Sequence, residues 1–297
     1  MAILSLKNVV KQYHNHKAVD DVSFDVEKQR IFGLLGPNGA GKTSIIRIIT
    51  SITGADSGEV LLDGELLNGY HPRYIGYMPE ERGLYKKMKV GEQLLYLAQL
   101  KGLSTKDAKL KIDYWLKKFE ITEWWHKKVE ELSKGMQQKI QFVATVVHDP
   151  KLIILDEPFT GLDPINTNLI KEEIRKLKEN GTSIIFSTHR MEQVEEICED
   201  IVLINGGQVM LEGTVAQIKQ DFKENTYRLE FEGPEPNFDN FKVVEKSEHS
   251  VVIQLQDGEE GNDILKHAVN QGCHIISFNE ILPSLNDIFI KQVEAAN

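Results

Sequence analysis

The octapeptide Gly36-Pro37-Asn38-Gly39-Ala40-Gly41-Lys42-Thr43 constrains this chain more than any other stretch, because it fits the template glycine, four residues, Gly-Lys-Thr. That spacing builds a nest of backbone N–H groups for a phosphate, extends a lysine to the terminal phosphates and leaves a hydroxyl for Mg²⁺. The flanks agree with it. Residues 31–35 (IFGLL) suit a buried strand, and residues 43–49 (TSIIRII) open a helix whose N-terminus faces the anion. Alone, the loop signals a nucleoside triphosphate and no more.

Two carboxylate and hydroxyl sites are spaced along the chain to serve that loop. Residues 151–156 (KLIILD) form an apolar run closed by Asp156, the pattern of a strand buried on both faces whose end reaches a site, and Glu157 follows directly. Asp156 is placed to hold Mg²⁺ through its water shell, and Glu157 to accept a proton from the water that attacks the γ-phosphate. Residues 182–187 (TSIIFS) repeat the buried-strand pattern and lead to Thr188 and His189. Ser133 precedes a helical stretch as its N-cap. Tyr13 lies in the polar segment KQYHNHK between two alternating stretches, 3–9 and 18–26, either as a turn residue or as a stacking face for a purine base. His14 and His16 are expected in solvent.

The order of elements predicts an α/β chain of P-loop NTPase type. Into it is inserted a helical segment, about 84–139, where apolar residues recur at three and four and which carries Trp115, Trp124 and Trp125 as core residues. The domain is expected to span 1–221. Residues 222–297 then alternate as four strands and two helices, broken at GPEPNFDN, and read as a small α+β unit of ferredoxin-like type with no chemical constellation. His249, His267 and His274 there are expected to be structural or exposed.

Composition excludes several classes. A net charge of −10 argues against a protein that tracks nucleic acid backbones, although residues 84–139 carry 13 lysines against 7 acids. No apolar run reaches the roughly 18 residues of a membrane helix, and the start, MAILSLKNVV, lacks a secretory signal, so a cytoplasmic location is expected. Cys198 and Cys273 lack metal-type spacing and read as reduced apolar residues.

Together these motifs resemble the ATP-binding subunits of ABC transporters, over about residues 1–220. GPNGAGKT matches Walker A, with Ser44 next to it, and LIILDE (152–157) matches Walker B. LSKGM (132–136) is similar to the signature LSGGQ, TGLD (160–163) to the D-loop and STH (187–189) to the switch histidine. MPEERGLY, LSKGMQQK and the tail PSLNDIFI are most similar to a bacterial subgroup related to sodium and drug exporters that carries an extra C-terminal domain. A P-loop GTPase or kinase leaves LSKGM and STH unexplained.

The resemblance implies an Mg²⁺-dependent ATPase in which Tyr13 stacks on adenine. Gly36, Asn38, Gly39, Ala40, Gly41, Lys42, Thr43, Ser44 and Asp163 would bind the nucleotide, Thr43, Asp156 and Glu80 the metal, and Glu157, His189 and Lys42 would act in catalysis. Ser133 and Gly135 would complete the γ-phosphate site of a second ATP-binding subunit, a copy or a paralogue, paired head to tail. A separate membrane permease would dock on the helical segment and the 80–87 loop, in export, with no nucleic acid partner. The competing class is a soluble ABC ATPase acting on nucleic acid or ribosomes; the single ATP-binding domain, the lack of a long coiled-coil insertion and the acidic balance argue against it. Two departures stand out: Glu80 replaces the usual glutamine, and Lys134 and Met136 replace the Gly and Gln of the signature.

Overall fold

The computed structural model describes residues 1–81, 83–233, 236–256 and 258–295. In chain order the strands and α-helices are β1 (Ala2–Tyr13), β2 (His16–Glu27), β3 (Ile31–Leu35), α1 (Lys42–Ile49), β4 (Ser57–Leu62), β5 (Glu65–Leu66), β6 (Ile75–Met78), α2 (Val90–Leu100), α3 (Thr105–Lys118) and α4 (Lys134–Val146). They continue as β7 (Leu152–Asp156), α5 (Pro164–Glu179), β8 (Ser183–Thr188), α6 (Met191–Ile197), β9 (Asp200–Asn205), β10 (Gln208–Thr214), α7 (Val215–Asp221), β11 (Thr226–Glu232), β12 (Lys242–Ser247), β13 (Ser250–Gln254), α8 (Gly261–Asn270), β14 (His274–Ile281) and α9 (Leu285–Ala295).

The first unit, Met1–Thr214, holds two sheets. Strands β2-β1-β4-β5 form an antiparallel sheet, and β10-β9-β3-β8-β7-β6 form a second that is parallel except for the β9-β10 hairpin. Helix α1 lies in their shared core, where Ile45, Ile46, Ile48 and Ile49 are buried among Leu6, Val22, Phe32 and Val202. Four isoleucines in one short helix oppose its intrinsic preference; burial of all four offsets that, at roughly 1.5–3 kcal/mol per side chain. Every residue of β3, β7 and β8 is buried, as the continuous apolar runs require.

Structure alters three expectations. The segment 11–17 is largely strand: β1 and β2 pair until Tyr13 opposes His16, so only His14 and Asn15 turn, and Tyr13 ends a strand. ITEWWHKKVEEL forms two 3₁₀ turns, Thr122–His126 and Val129–Glu131, where the recurrence at three and four predicts α-helix. Here Trp124 is buried, and the backbone of the stretch bonds across to the start of α2: Val129 N–H donates to Met88 O at 3.0 Å and Val90 N–H to Lys127 O at 2.9 Å, so tertiary pairing outweighs helical periodicity. The unit boundary falls after Thr214, earlier than 221/222, because α7 buries Ile218 and packs on α9.

The second unit, from Val215 onward, is one antiparallel sheet in the order β12-β13-β11-β14, the order of a ferredoxin-like sheet. Between β11 and β12, however, the described residues hold no helix. Phe238 enters the core there, against the side of the sheet that α8 covers with Ile264 and Ala268. His267 is structural as expected, bonded to the Asn237 carbonyl at 2.6 Å.

Candidate active site

Three neighbouring parallel strands deliver the reactive residues to one sheet edge. In the ladder β3-β8-β7, Leu35 lies opposite Thr188 and Ser187 opposite Asp156, so the loop after β3 and the pairs after β7 and β8 emerge together. Strand registry alone thus unites segments more than a hundred residues apart in sequence.

The phosphate loop is held from outside itself. Gly36 and Gly41 take φ values of 148° and 111°, and a Cβ on either would strike a carbonyl, Ile204 O or Ala18 O respectively. Gly207, at the β9-β10 turn, donates its N–H to Ala40 O at 2.9 Å. The space above Gly39 is free of protein, as a cradle for an anion requires. Lys42 Nζ donates to Gly36 O at 2.6 Å and Pro37 O at 3.0 Å. Burial pushes its pKa down, against the pull of the Asp156, Glu157 and Glu80 carboxylates.

On the facing side, Asp156 accepts from Ser187 Oγ at 2.8 Å. Burial holds its carboxyl above the usual range, with the neighbouring Glu80 and Glu157 charges adding to the rise. Glu157 has φ 50°, in the left-handed region that a side chain rarely occupies, and its N–H donates to Ser187 O at 2.9 Å. This turn directs its carboxylate at the next strand's end. Oε1 meets His189 Nδ1 at 2.6 Å and accepts from the His189 N–H at 2.9 Å, while Oε2 accepts from Thr188 Oγ1 at 3.1 Å. Strained backbone of this kind costs on the order of 1–3 kcal/mol and marks functional turns.

A cleft of ≈ 280 Å³ brings together Tyr13, Asn38, Gly39, Ala40, Gly41, Lys42, Thr43, Ser44, Glu80, Asp156, Glu157 and His189. Of the other expected residues, Gly36 lies buried beneath the loop. Ser133 caps α4, accepting from Met136 N at 3.3 Å, and Gly135 packs beneath the Gly161 carbonyl. Asp163 caps α5, accepting from Asn166 N at 2.9 Å. None of these last three lines the cleft. His16, exposed as expected, also lines it, along with Ala18. Sequence reasoning also missed Gln138 and Gln141, which donate to Pro158 O at 2.8 Å and Pro79 O at 2.7 Å and so tie α4 to the segments after β7 and β6. Two glutamines on the buried side of an amphipathic helix were the available signal.

The donor set fits a nucleoside triphosphate with a divalent cation: a loop of N–H groups and an ammonium for phosphate, and a hydroxyl and carboxylates for the metal. Fold and site together define a P-loop NTPase with an inserted helical subdomain. Residues 19–160 match the family model described as ABC transporter, and residues 213–293 match the C-terminal domain of ATP-binding proteins like DrrA1-3. The uncharacterised ABC transporter ATP-binding protein YhaQ of Bacillus subtilis is 42% identical, over 99% of both chains. The lipopolysaccharide export system ATP-binding protein LptB of Haemophilus influenzae is 32% identical, over 74% of this chain and 94% of that protein. A solved structure of an ATP-binding subunit of an ABC transporter is 30% identical with TM-score 0.70, covering 74% of this chain and 93% of that one. The chain belongs to the ATP-binding subunits of ABC transporters, which are ATPases.

Proposed function

We propose that this subunit binds ATP with Mg²⁺ in the cleft, pairs head to tail with a second ATP-binding subunit, and drives an integral membrane permease in export. One observation carries the reading. The cleft gathers a phosphate cradle, a metal-binding pair and the Glu157–His189 couple, while Ser133 and Gly135 stand outside it on another element. Such a site is half of one, completed when the N-terminus of α4 in a partner copy faces the γ-phosphate.

In this reading Tyr13 stacks on adenine, Lys42 and the loop N–H groups hold the phosphates, and Asp163 approaches the nucleotide across the pair. Bound Mg²⁺ supplies charge neutralisation on the phosphate oxygens. Thr43, Asp156 and Glu80 would hold it. Glu157 takes the proton of the attacking water, and His189 orients that carboxylate and senses the γ-phosphate.

For the permease, an apolar groove of ≈ 310 Å³ lies between the core and the helical subdomain, lined by Tyr77, Pro79, Leu84, Leu97, Leu100 and His148 among others. Part of its lining, Gly83, Leu84, Leu97, Leu100 and Lys101, comes from the loop 80–87 and the helical segment proposed for docking; Arg82 of that loop lies outside the described residues. No described helix is long and apolar enough to cross a membrane. A cytoplasmic site at the membrane's inner face, held by the permease, follows from this reading. Export rests on the likeness to LptB, a protein of a lipopolysaccharide export system. The test is affinity purification from solubilised membranes: a hydrophobic multi-span protein should co-purify, whereas recovery of ribosomes or DNA in its place overturns the assignment.

A further inference from the structure

Tyr13 sits at the tip of a hairpin, the kind of place where backbone frays, yet a stacking platform must be rigid before its ligand arrives. Asp56, from the segment between α1 and β4, fastens that tip at three points. Its N–H donates to Val10 O at 2.8 Å, and its carboxylate accepts from the Gln12 N–H at 2.7 Å and from Lys11 Nζ at 2.7 Å. The Lys11 ammonium then lies over the Tyr13 ring, 5.6 Å from its centroid. Only 14% of the Lys11 side chain is exposed, and it lines neither cavity that Tyr13 lines. The ammonium thus sits against the ring without lining the cleft.

We propose that Lys11, held by Asp56, is a positioning residue for Tyr13: it fixes the phenol ring from one face so that the opposite face stands ready for the purine. A cation over an aromatic face contributes an attraction that survives best where the ammonium is partly desolvated, as here. Asp56 anchors this arrangement to the connection that directly follows α1, so the base platform and the phosphate loop share one rigid frame. The inference rests on the base-stacking role of Tyr13.

The test is equilibrium binding by the full chain, measured by competition against a fluorescent ATP analogue, with ATP and with inorganic tripolyphosphate as competitors. Lys11→Met should weaken ATP about threefold and leave tripolyphosphate unchanged. Lys11→Arg should restore ATP affinity, and Asp56→Asn, which keeps an acceptor for the Gln12 N–H but loses the ion pair, should behave like Lys11→Met. In a Tyr13→Ala background, Lys11→Met should have no further effect. Equal weakening of ATP and tripolyphosphate, or the same loss with and without the ring, overturns the proposal in favour of a general charge or folding effect. A silent Lys11→Met beside a damaging Tyr13→Ala overturns the positioning role alone. Unchanged ATP affinity in Tyr13→Ala overturns base stacking itself.

Discussion

His189 Nδ1 and Glu157 Oε1 lie 2.6 Å apart, joining the ends of two adjacent strands across the mouth of the cleft. Thr188 takes the other carboxylate oxygen, so Glu157 is fixed in both rotation and reach. Replacement by glutamine keeps the shape and removes the base. Glu157→Gln should retain ATP binding, accumulate an ATP-bound dimer and lower phosphate release by at least ~10²-fold. Unaltered release would remove Glu157 from the chemistry.

Ser133 accepts from Met136 N at the start of α4. Ser133→Ala should cost about 1 kcal/mol of local stability through loss of the cap. Its larger effect should appear only with a partner. In a Glu157→Gln background, light scattering should show less ATP-dependent dimer, while ATP affinity of the monomer stays the same. Full dimerisation would place the γ-phosphate contact elsewhere.

Glu80 is exposed and lines the cleft opposite Lys42, where the family commonly has glutamine. Its charge adds to those of Asp156 and Glu157 around one ammonium. Glu80→Gln should shift the Mg²⁺ concentration that gives half-maximal ATPase activity. A variant with neither its Mg²⁺ dependence nor its rate altered shows that this carboxylate stands outside the metal shell.

His148 tests the groove. Burial, followed by the Lys101 cation, pushes its pKa down from 6.5 to about 4. Between those values the unfolded chain holds a proton that the folded chain does not, so stability falls as pH drops through this window and levels off below it. From about pH 7.5 to pH 5 the loss assignable to His148 should be on the order of 2 kcal/mol. Urea denaturation followed by tryptophan fluorescence reads this directly, since all three tryptophans lie in the helical subdomain. His148→Gln should flatten the pH dependence; an unchanged slope would assign it to other groups.

Local chemistry was legible in the sequence wherever contiguous residues do the work. The phosphate loop, Asp156-Glu157 after a buried strand, and the Ser133 cap each carry their own spacing, and each lies where that spacing implies. Ala18, His16 and Gly207 gave no such signal. Their part in the site arises because Ala18 O closes on Gly41 and Gly207 N–H reaches Ala40, contacts between segments with no periodic relation. The tryptophan-rich stretch departs from its predicted helix for a similar reason: three- and four-residue spacing suits an α-helix and 3₁₀ turns alike, and tertiary contacts choose between them.

That the chain handles a nucleotide is legible from the type and order of Lys42, Thr43, Asp156 and Glu157 alone. Which groups share the cleft is not, because it depends on how distant strands pair. Parallel registry of β3, β8 and β7 brings Glu157 to His189 and leaves Ser133 outside, and a carbonyl from β2 and a turn after β9 brace the loop. The physical reason is that reactivity is written in side chains along the chain, whereas proximity is set by strand pairing and burial, which no short stretch encodes.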